Sequence, residues 1–223
     1  MKPAVRGLYA VTPELALEAL LEAVSAAIAG GARLVQYRDK CSSSRQRLRQ
    51  AKALQALCRR HGVPLIINDD PALASTVGAA GVHLGAADVS PGAARRRLGP
   101  RALIGVSCYA SLSRAEAAQA AGADYVAFGS FYPSPTKPGA CRAPLELLQQ
   151  AKRALKIPVV AIGGITPANG AGLVARGADA VAVIHGLFGS EDIEAAARCY
   201  ARLFPDHSES GNPSRTTTAG KAP

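Results

Sequence analysis

Short apolar runs recur along the chain at intervals of about 20–30 residues, and alanine- and leucine-rich stretches with helical periodicity lie between them. Runs of β-branched and aliphatic residues are typical of buried strands. Their alternation with amphipathic helices predicts repeated βα units and a parallel sheet. Eight runs have this character: residues 7–12, 32–38, 64–69, 81–85, 102–107, 124–129, 158–164 and 179–186.

Eight helices are predicted between and after these strands. In the second, Leu48, Ala51, Leu54 and Cys58 form an apolar face opposite a basic face that we interpret as exposed to solvent. Eight βα units in about 220 residues indicate an α/β fold, a single compact (β/α)₈ (TIM) barrel. An open doubly wound sheet is the alternative, but it seldom needs eight strands this short. The helices are predicted at 14–29, 43–61, 71–79, 90–98, 112–121, 144–155, 167–176 and 190–204.

The pattern ends near residue 204. We therefore predict a barrel domain over residues 1–204, which carries the catalytic site, and a disordered polar tail over 205–223. In the tail, Asp206 and Glu209 offset Arg215 and Lys221, so the net positive charge belongs to the barrel. This placement argues against a basic nucleic-acid-binding arm.

Composition narrows the function further. The chain carries 26 Lys and Arg against 16 Asp and Glu, a formal charge of +10, which favours anionic partners such as phosphorylated metabolites or nucleic acid. It has no Trp, and its five cysteines include no C-x-x-C pair, so neither a disulfide framework nor a zinc site is indicated. No apolar stretch approaches the roughly 18 residues that span a membrane. A cytoplasmic protein is expected, and its oligomeric state, homo-oligomer or monomer, stays open.

Reactive groups of such a barrel belong at the carboxyl ends of its strands. The second strand ends in Gln36-Tyr37-Arg38-Asp39-Lys40, where alternation sends Gln36, Arg38 and Lys40 the same way. Inward-pointing cations need an anionic ligand or a buried partner. A structural ion pair, with Asp39 or a neighbouring strand, is the alternative to ligand binding.

Two further strand ends carry carboxylates. Asp69 follows the third strand and Asp88 follows the fourth, so the two can converge on a hard cation such as Mg²⁺. Each residue also has a structural alternative, because an Asp after a strand is more often a helix N-cap. Asp70, before Pro71, has the character of a cap, and Asp88 stands close to a helix starting near Ser90.

The sixth strand is followed by a loop of about a dozen residues, where most βα loops have 2–6. Ser134, Thr136 and Lys137 offer it two hydroxyl groups and a cation suited to phosphate, although an ordinary proline-rich surface loop has the same composition. The seventh and eighth strands end in Gly163-Gly164 and Ile184-His185, where phosphate-binding barrels bring backbone amides to an anion. A lone histidine is more often structural, but its place at a strand end favours ligand contact.

In this order, the segments resemble the thiamine-phosphate synthases over about residues 7–204. They are QYRDK, INDD, GVHLG followed by Asp88, IGVS, the S-x-T-K loop, AIGGIT and AVIHG. The resemblance implies a Mg²⁺-dependent transferase of thiamine biosynthesis with one Mg²⁺ per subunit. Such an enzyme joins a hydroxymethylpyrimidine pyrophosphate to a thiazole phosphate, giving thiamine phosphate and releasing pyrophosphate.

The resemblance also assigns roles. Arg38, Lys40 and Lys137 would be catalytic, and Asp69 and Asp88 would bind Mg²⁺. The pyrimidine pyrophosphate would be held by Gln36, Tyr37, Arg38, Asp39, Lys40, Asn68, Ser107 and Lys137. The thiazole phosphate would be held by Ser134, Pro135, Thr136, Gly164, Ile184 and His185.

Three positions depart from the commonest pattern of that family. Ser134 replaces a usual Thr and keeps the hydroxyl group; Tyr109 stands where His is usual, and His185 stands where Ser is common. Two other functions remain as alternatives. Thiazole tautomerases are similar in sequence, but their proton transfer has no use for Asp69, Asp88 and the QYRDK cations. A non-catalytic nucleic-acid binder is favoured by the charge alone, and no recognised motif supports it.

Overall fold

The computed structural model describes residues 2–134, 139 and 141–205. Eight parallel strands close into a barrel in sequence order, β1 to β8, with β1 pairing to both β2 and β8. The predicted (β/α)₈ barrel is confirmed, and the open sheet is excluded. The strands are β1 Gly7–Val11, β2 Ala32–Tyr37, β3 Leu65–Asn68, β4 Gly81–Leu84, β5 Leu103–Tyr109, β6 Tyr125–Phe128, β7 Val159–Ile162 and β8 Ala180–Val183.

The described residues contain one helix more than the sequence predicted. The run 179–186 was assigned wholly to a strand, but β8 ends at Val183 and a four-residue helix begins at His185. The helices are α1 Leu17–Ala29, α2 Ser44–Arg60, α3 Pro71–Val77, α4 Pro91–Leu98, α5 Leu112–Ala120, α6 Glu146–Ala154, α7 Pro167–Ala175, α8 His185–Phe188 and α9 Ile193–Ala201.

Helix α2 shows how the sequence determines one of these elements. The Ser43 side chain accepts a hydrogen bond from the Gln46 amide and so caps the first turn. Ala51, Leu54 and Cys58 are buried against the barrel, as predicted. The basic face is exposed to solvent; its residues are Arg45, Arg49, Lys52 and Arg59.

The core has two layers, because successive side chains of a strand point to opposite faces. Side chains such as Leu34, Ile66 and Val160 fill the barrel interior together with Tyr9 and Tyr125. Side chains of the opposite parity, such as Leu65 and Ile67, pack against the surrounding helices. Aliphatic residues dominate both layers, as expected for a chain without Trp.

Two aspartates fasten the amino-terminal end of the barrel, away from the predicted chemistry. Asp124 Oδ2 accepts a hydrogen bond of 2.8 Å from the Ile104 amide and pairs with Arg95. Asp179 Oδ2 likewise accepts from the Val159 amide at 2.8 Å and pairs with Lys152. Each carboxylate therefore joins the start of one strand to the segment before the next, a role that stabilises the fold.

The barrel elements extend from Gly7 to Ala201, within the predicted domain. Most of the predicted polar tail, from residue 206 onward, lies outside the described residues. All five cysteines are free thiols. Among the helices described, none combines the length and the apolar character that crossing a membrane requires.

Candidate active site

Two adjoining cavities occupy the carboxyl-terminal end of the barrel. The larger has a volume of about 400 Å³ and is lined by side chains from β1, β2 and the strands opposite them. The smaller, of about 150 Å³, lies at the ends of β7 and β8. They share Ser134, Ile162, Gly163, Ala182 and Ile184, so they form one continuous site. A third cavity, of about 650 Å³, lies at the other end of the barrel beside Arg6 and Arg33.

Gln36 on β2 and Arg38 just after it line the larger cavity, as the alternation predicted. Lys40, predicted to point the same way, is not among the residues that line it. The buried Thr12 hydroxyl oxygen at the end of β1 accepts a 2.9 Å hydrogen bond from the Arg38 amide. This contact fixes the backbone where the strand leaves the barrel. Arg38 is only half-buried, so its guanidinium group remains accessible to an anion in the cavity.

Tyr37 and Asp39 are not among the residues that line the larger cavity. Tyr37 points away from the cavity, into the layer between β2 and α2, where its hydroxyl donates to Gln50 Oε1 at 2.7 Å. Asp39 Oδ1 accepts from the amides of Cys41 and Ser42 at 3.0 and 2.9 Å. Partial burial opposes ionisation, but these hydrogen bonds outweigh it and hold the pKa of Asp39 below its usual value. Both side chains organise the loop that carries Lys40.

A charged cluster of Lys40, Asp69 and Asp88 stands at the ends of β2, β3 and β4. Lys40 Nζ lies 3.3 Å from Asp69 Oδ2. Asp69 has a left-handed backbone (φ 63°), rare for a residue with a side chain, and its amide donates to the His83 carbonyl at 2.8 Å. Burial and the neighbouring Asp69 carboxyl raise the pKa of Asp88, against the opposing effects of the Gly85 amide and Lys40.

The structure shows which of the two candidate aspartates, Asp70 and Asp88, caps a helix. Asp70 caps α3 through the Leu73 amide at 2.9 Å and pairs with Arg47 at the same distance, so its role is structural. Asp88 does not cap α4, because Ser90 does. Its Oδ2 instead accepts a 2.7 Å hydrogen bond from the Gly85 amide, which turns the carboxyl back toward the strand ends.

The pair of carboxylates fits a divalent cation. Burial and the neighbouring Asp69 carboxyl raise the pKa of Asp88, and Lys40, paired with Asp69, supplies only one positive charge for the two carboxyl groups. In the part of the chain that the structure describes, no group of three or more His, Cys, Asp or Glu side chains forms a metal cluster. A two-carboxylate site suits Mg²⁺, which usually keeps several waters and takes further oxygens from phosphate.

Asn68 and Ser107 line the larger cavity, at the ends of β3 and β5. Tyr109 lines it as well, with a left-handed backbone (φ 54°) and a side chain that is about half exposed. The guanidinium carbon of Arg114 lies 5.8 Å from the Tyr109 ring centroid, within the range of a cation–π contact. Tyr109, which stands where the family pattern usually has His, therefore faces the site directly.

The loop after β6 reaches both cavities through Ser134. Pro135, Thr136 and Lys137 lie outside the described residues, so their predicted roles have no structural test. The preceding segment runs beside β7, where Tyr132 donates from its amide to the Gly163 carbonyl at 3.0 Å. Side chains are excluded at this crossing: a Cβ on Gly163 would lie 2.0 Å from Ser130 Oγ, and one on Gly164 would lie 2.2 Å from the Pro133 carbonyl oxygen.

The smaller cavity is bordered by Gly164, Ile184 and His185. Short helices after the eighth strand, together with the loops after strands seven and eight, form the phosphate site of many such barrels. The His185 side chain is exposed, and its ring lies along the helix beside Gly189, where an added Cβ would be 2.8 Å from Cε1. His185 also lines the smaller cavity, and the contact of its imidazole with phosphate stays a prediction.

Several polar residues of the site were not predicted from the sequence. Tyr9, His83 and Tyr125 are buried on strands and Thr12 is buried directly after β1; Tyr9 and His83 line the larger cavity. The sequence offered one signal for them: Tyr9, His83 and Tyr125 are polar side chains within apolar runs assigned to strands, where alternation decides which face of the strand each one occupies.

Comparison with known proteins agrees with this geometry. Residues 8–187 match a family model described as thiamine monophosphate synthase. A thiamine-phosphate synthase of Thioalkalivibrio sulfidiphilus is 55% identical over 202 residues, covering 90% of this chain and 96% of the relative. One of Thiobacillus denitrificans is 58% identical over 199 residues, covering 89% and 94%. The chain belongs to the thiamine monophosphate synthase family.

A solved structure supports the same assignment. Thiamine phosphate pyrophosphorylase from Pyrococcus furiosus superposes with a TM-score of 0.81 at 34% identity, covering 88% of this chain and 94% of that one. The family condenses a pyrimidine phosphate and a thiazole phosphate to thiamine phosphate, which is transferase chemistry. The resemblance found in the motifs is thereby confirmed.

Proposed function

We propose that this chain transfers the pyrimidine methylene group of a hydroxymethylpyrimidine pyrophosphate to the nitrogen of a thiazole phosphate, giving thiamine phosphate and pyrophosphate. One observation carries the proposal: two cavities at the carboxyl end of the barrel are continuous through five shared residues. One cavity lies beside cations and paired carboxylates, and the other lies at a glycine-rich phosphate loop. A two-substrate condensation needs such adjacent sites.

The larger cavity suits the pyrimidine pyrophosphate. Gln36, Asn68 and Ser107 present amide and hydroxyl groups to a heterocycle, and Arg38 and Lys40 supply positive charge for the pyrophosphate. Lys137 is proposed to join them from the loop after β6. Tyr37 and Asp39 contribute indirectly, by holding the backbone that carries Arg38 and Lys40.

The smaller cavity suits the thiazole phosphate. Gly164 and Ile184 bring backbone to its wall, Ser134 adds a hydroxyl group, and His185 stands at its edge. The position corresponds to the phosphate site that loops seven and eight form in many (β/α)₈ barrels. Pro135 and Thr136 are proposed to complete this site.

Asp69 and Asp88 are proposed to hold one Mg²⁺ per subunit. The support is the proximity of two carboxyl groups, which raises the pKa of Asp88, together with the preference of Mg²⁺ for oxygen ligands. When bound, the ion would supply positive charge to the departing pyrophosphate.

The chemistry requires positioning and charge neutralisation, not a general base. The bond between the methylene carbon and the pyrophosphate oxygen breaks, and its electron pair leaves with pyrophosphate. The electron-rich aminopyrimidine delocalises the positive charge left on carbon, and the thiazole nitrogen lone pair forms the new carbon–nitrogen bond. No proton is transferred. Arg38, Lys40 and Lys137 would stabilise the charge that develops on the leaving group, and the shared cavity would hold the nitrogen near the carbon.

Thiazole tautomerase activity is the less favoured function. Proton transfer on a thiazole phosphate would use the smaller cavity alone, and it gives no reason for the cluster of Lys40, Asp69 and Asp88. The names of the relatives, all thiamine-phosphate synthases among those compared above, also support the synthase.

The test is incubation of the purified protein with both phosphorylated substrates, with and without Mg²⁺, followed by measurement of thiamine phosphate and pyrophosphate. Equal amounts of both products, absent when either substrate is omitted, are expected. Arg38→Ala should abolish most of the rate. Arg33→Ala is the matched control, because Arg33 lies on the same strand but beside the cavity at the opposite end. Product formation by the tautomerase reaction alone would refute the proposal.

A further inference from the structure

A continuous chain of hydrogen bonds crosses the barrel interior beneath the larger cavity. Gln36 Nε2 donates to the Tyr9 hydroxyl at 2.9 Å, and the hydroxyl oxygens of Tyr9 and Tyr125 lie 2.8 Å apart. His83 Nδ1 lies 3.1 Å from the Tyr125 hydroxyl, and His83 Nε2 lies 2.9 Å from Ser107 Oγ. These hydrogen bonds connect five side chains from five strands, and we call the set the relay: Gln36, Tyr9, Tyr125, His83 and Ser107. Its two end residues, Gln36 and Ser107, line the cavity.

The direction of these hydrogen bonds follows from one end. Because Gln36 donates to Tyr9, the Tyr9 hydroxyl proton must find another acceptor, and the buried Tyr125 oxygen is the one in reach. A buried hydroxyl without an acceptor would cost the full desolvation of its proton. The Tyr125 proton then goes to His83 Nδ1. A neutral histidine that accepts at Nδ1 carries its proton on Nε2, which donates to Ser107 Oγ.

Burial supports this order. Tyr9 is 1% exposed and Tyr125 is fully buried, and desolvation raises the pKa of both phenols above the usual value. Each hydroxyl therefore keeps its proton at working pH. The two rings also meet edge to face, with centroids 6.0 Å apart, so the hydroxyl groups have little freedom to turn elsewhere.

We infer that this relay fixes which groups of the cavity donate and which accept, and thereby selects the pyrimidine. Gln36, which uses its amide nitrogen inside the relay, offers its carbonyl oxygen to the substrate as an acceptor. Ser107, whose oxygen accepts from His83, offers its hydroxyl proton to the substrate as a donor. The inference rests on the proposed function. Tyr9, His83 and Tyr125 act as positioning residues, since they act through Gln36 and Ser107.

The relay therefore has a consequence for substrate choice. An exocyclic amine on the pyrimidine matches the Gln36 carbonyl oxygen, whereas an exocyclic oxygen in the same place opposes it. To bind that oxygen analogue, the Gln36 amide would have to rotate so that its nitrogen faces the substrate. This rotation would break the hydrogen bond from Gln36 Nε2 to Tyr9, and the Tyr9 hydroxyl proton would have to change its acceptor. We expect the native protein to prefer the amino substrate by at least about ten-fold in kcat/KM for this reason.

The direction of the relay can be tested without any activity. In ¹⁵N-labelled full-length protein, the His83 ring is expected to be protonated at Nε2 and unprotonated at Nδ1, with signals assigned by their loss in His83→Gln. A proton on Nδ1 would reverse the relay and overturn the inference, whatever the protein catalyses.

The consequence for selectivity is tested with Tyr125→Phe, which removes one hydroxyl from the middle of the relay and keeps the ring. Its preference for the amino pyrimidine pyrophosphate over the oxo analogue should fall about ten-fold or more, while the KM for thiazole phosphate stays as in the native protein. Tyr200→Phe is the control for the pyrimidine preference alone: Tyr200 is also fully buried, but its hydroxyl donates to the Ile165 carbonyl beside the smaller cavity, outside the relay.

An unchanged preference in Tyr125→Phe, in a protein that makes thiamine phosphate, would overturn the inference while leaving the proposed function intact. Equal losses of preference in Tyr125→Phe and Tyr200→Phe would also overturn it, since they would reflect general loosening of the barrel. If the native protein makes no thiamine phosphate, the proposed function fails, and the protonation of His83 still decides whether the relay runs as inferred.

Discussion

Lys40 Nζ lies 3.3 Å from Asp69 Oδ2, and it is the cation that the structure places at the proposed metal site. The contact neutralises one carboxylate of the pair, while Asp88 has a raised pKa caused by burial and by Asp69. Asp69 and Asp88 would hold the proposed divalent ion, and Lys40, beside Asp69, would offer its ammonium group to the pyrophosphate. The metal and the lysine would then act together on the leaving group.

Asp88→Asn should make the reaction require far more Mg²⁺. The amide can still accept the hydrogen bond from Gly85, but it lacks the charge that attracts the ion. We expect the half-saturating Mg²⁺ concentration to rise by at least the ~10–100-fold that follows loss of a partner of a metal ligand. Initial rates measured across a Mg²⁺ titration test this. Asp69→Asn should behave alike.

Asp70→Asn is the control, because Asp70 is adjacent in sequence but caps α3, a role that Asn fills nearly as well. Its Mg²⁺ titration should match the native one. Stability gives a second readout. A raised pKa means that folding disfavours the ionised Asp88, so in the presence of a chelator at neutral pH the Asp88→Asn protein should melt at the native temperature or above. An unchanged Mg²⁺ requirement in both variants would exclude the pair as metal ligands.

Lys137→Ala should reduce kcat by about 10²–10³-fold, equivalent to about 3–4 kcal/mol, as when a preorganised electrostatic donor is removed from a transition state. This prediction comes from the motif, since residue 137 is outside the described residues. Lys152→Ala serves as its control, because Lys152 pairs with Asp179 at the opposite end of the barrel. Steady-state kinetics with both substrates saturating make the comparison, and similar rates for the two variants would remove Lys137 from catalysis.

Asp124→Asn should destabilise the protein without changing its kinetics. The carboxylate accepts from the Ile104 amide and pairs with Arg95, and charged hydrogen bonds of this kind contribute about 1.5–3 kcal/mol. Chemical denaturation should show that loss in the free energy of unfolding, with kcat/KM close to native at a temperature where both proteins are folded. A selective fall in kcat/KM would mean that the amino-terminal end of the barrel is coupled to the site.

His185→Ser should leave the pH dependence of thiazole phosphate binding unchanged. The His185 side chain is exposed at the edge of the smaller cavity, and three other lining residues, Gly163, Gly164 and Gly186, present only backbone, which a serine at 185 preserves. Binding titrations of the two proteins from about pH 5.5 to 8.5 make the comparison. The substrate phosphate titrates in the same range and affects both proteins equally. If binding weakens at high pH in the native protein but not in His185→Ser, a charged imidazole contacts the phosphate.

The sequence was sufficient to predict the barrel because each βα unit repeats the same two periodicities, one for the strand and one for the helix. The structure places Gln36, Asn68 and Ser107 on one cavity, because the carboxyl ends of parallel strands meet at one end of a barrel. Their contacts with the pyrimidine pyrophosphate stay predictions of the resemblance. Tyr37 lies on the opposite face of β2 from Gln36, as the alternation within QYRDK indicated, and the role that the resemblance gave it stays a prediction.

Two features could not be predicted from the sequence: the end of β8 and the relay. Nothing in Val183-Ile184-His185 indicates that the strand ends at Val183, and a four-residue helix has too few residues for a periodic signal. Nor could the relay be predicted, since it joins residues that are up to 116 positions apart, Tyr9 and Tyr125, and depends on the barrel closing in the right register.

The hydroxyl of Tyr200, on the last helix, donates to the Ile165 carbonyl and lies so near Gly186 that a Cβ there would be 2.5 Å away. The carboxyl-terminal helix thus supports both loops of the phosphate cavity from below. This sets a limit for protein engineering: a chain shortened past Tyr200 would lose the support of both loops of the proposed thiazole phosphate site.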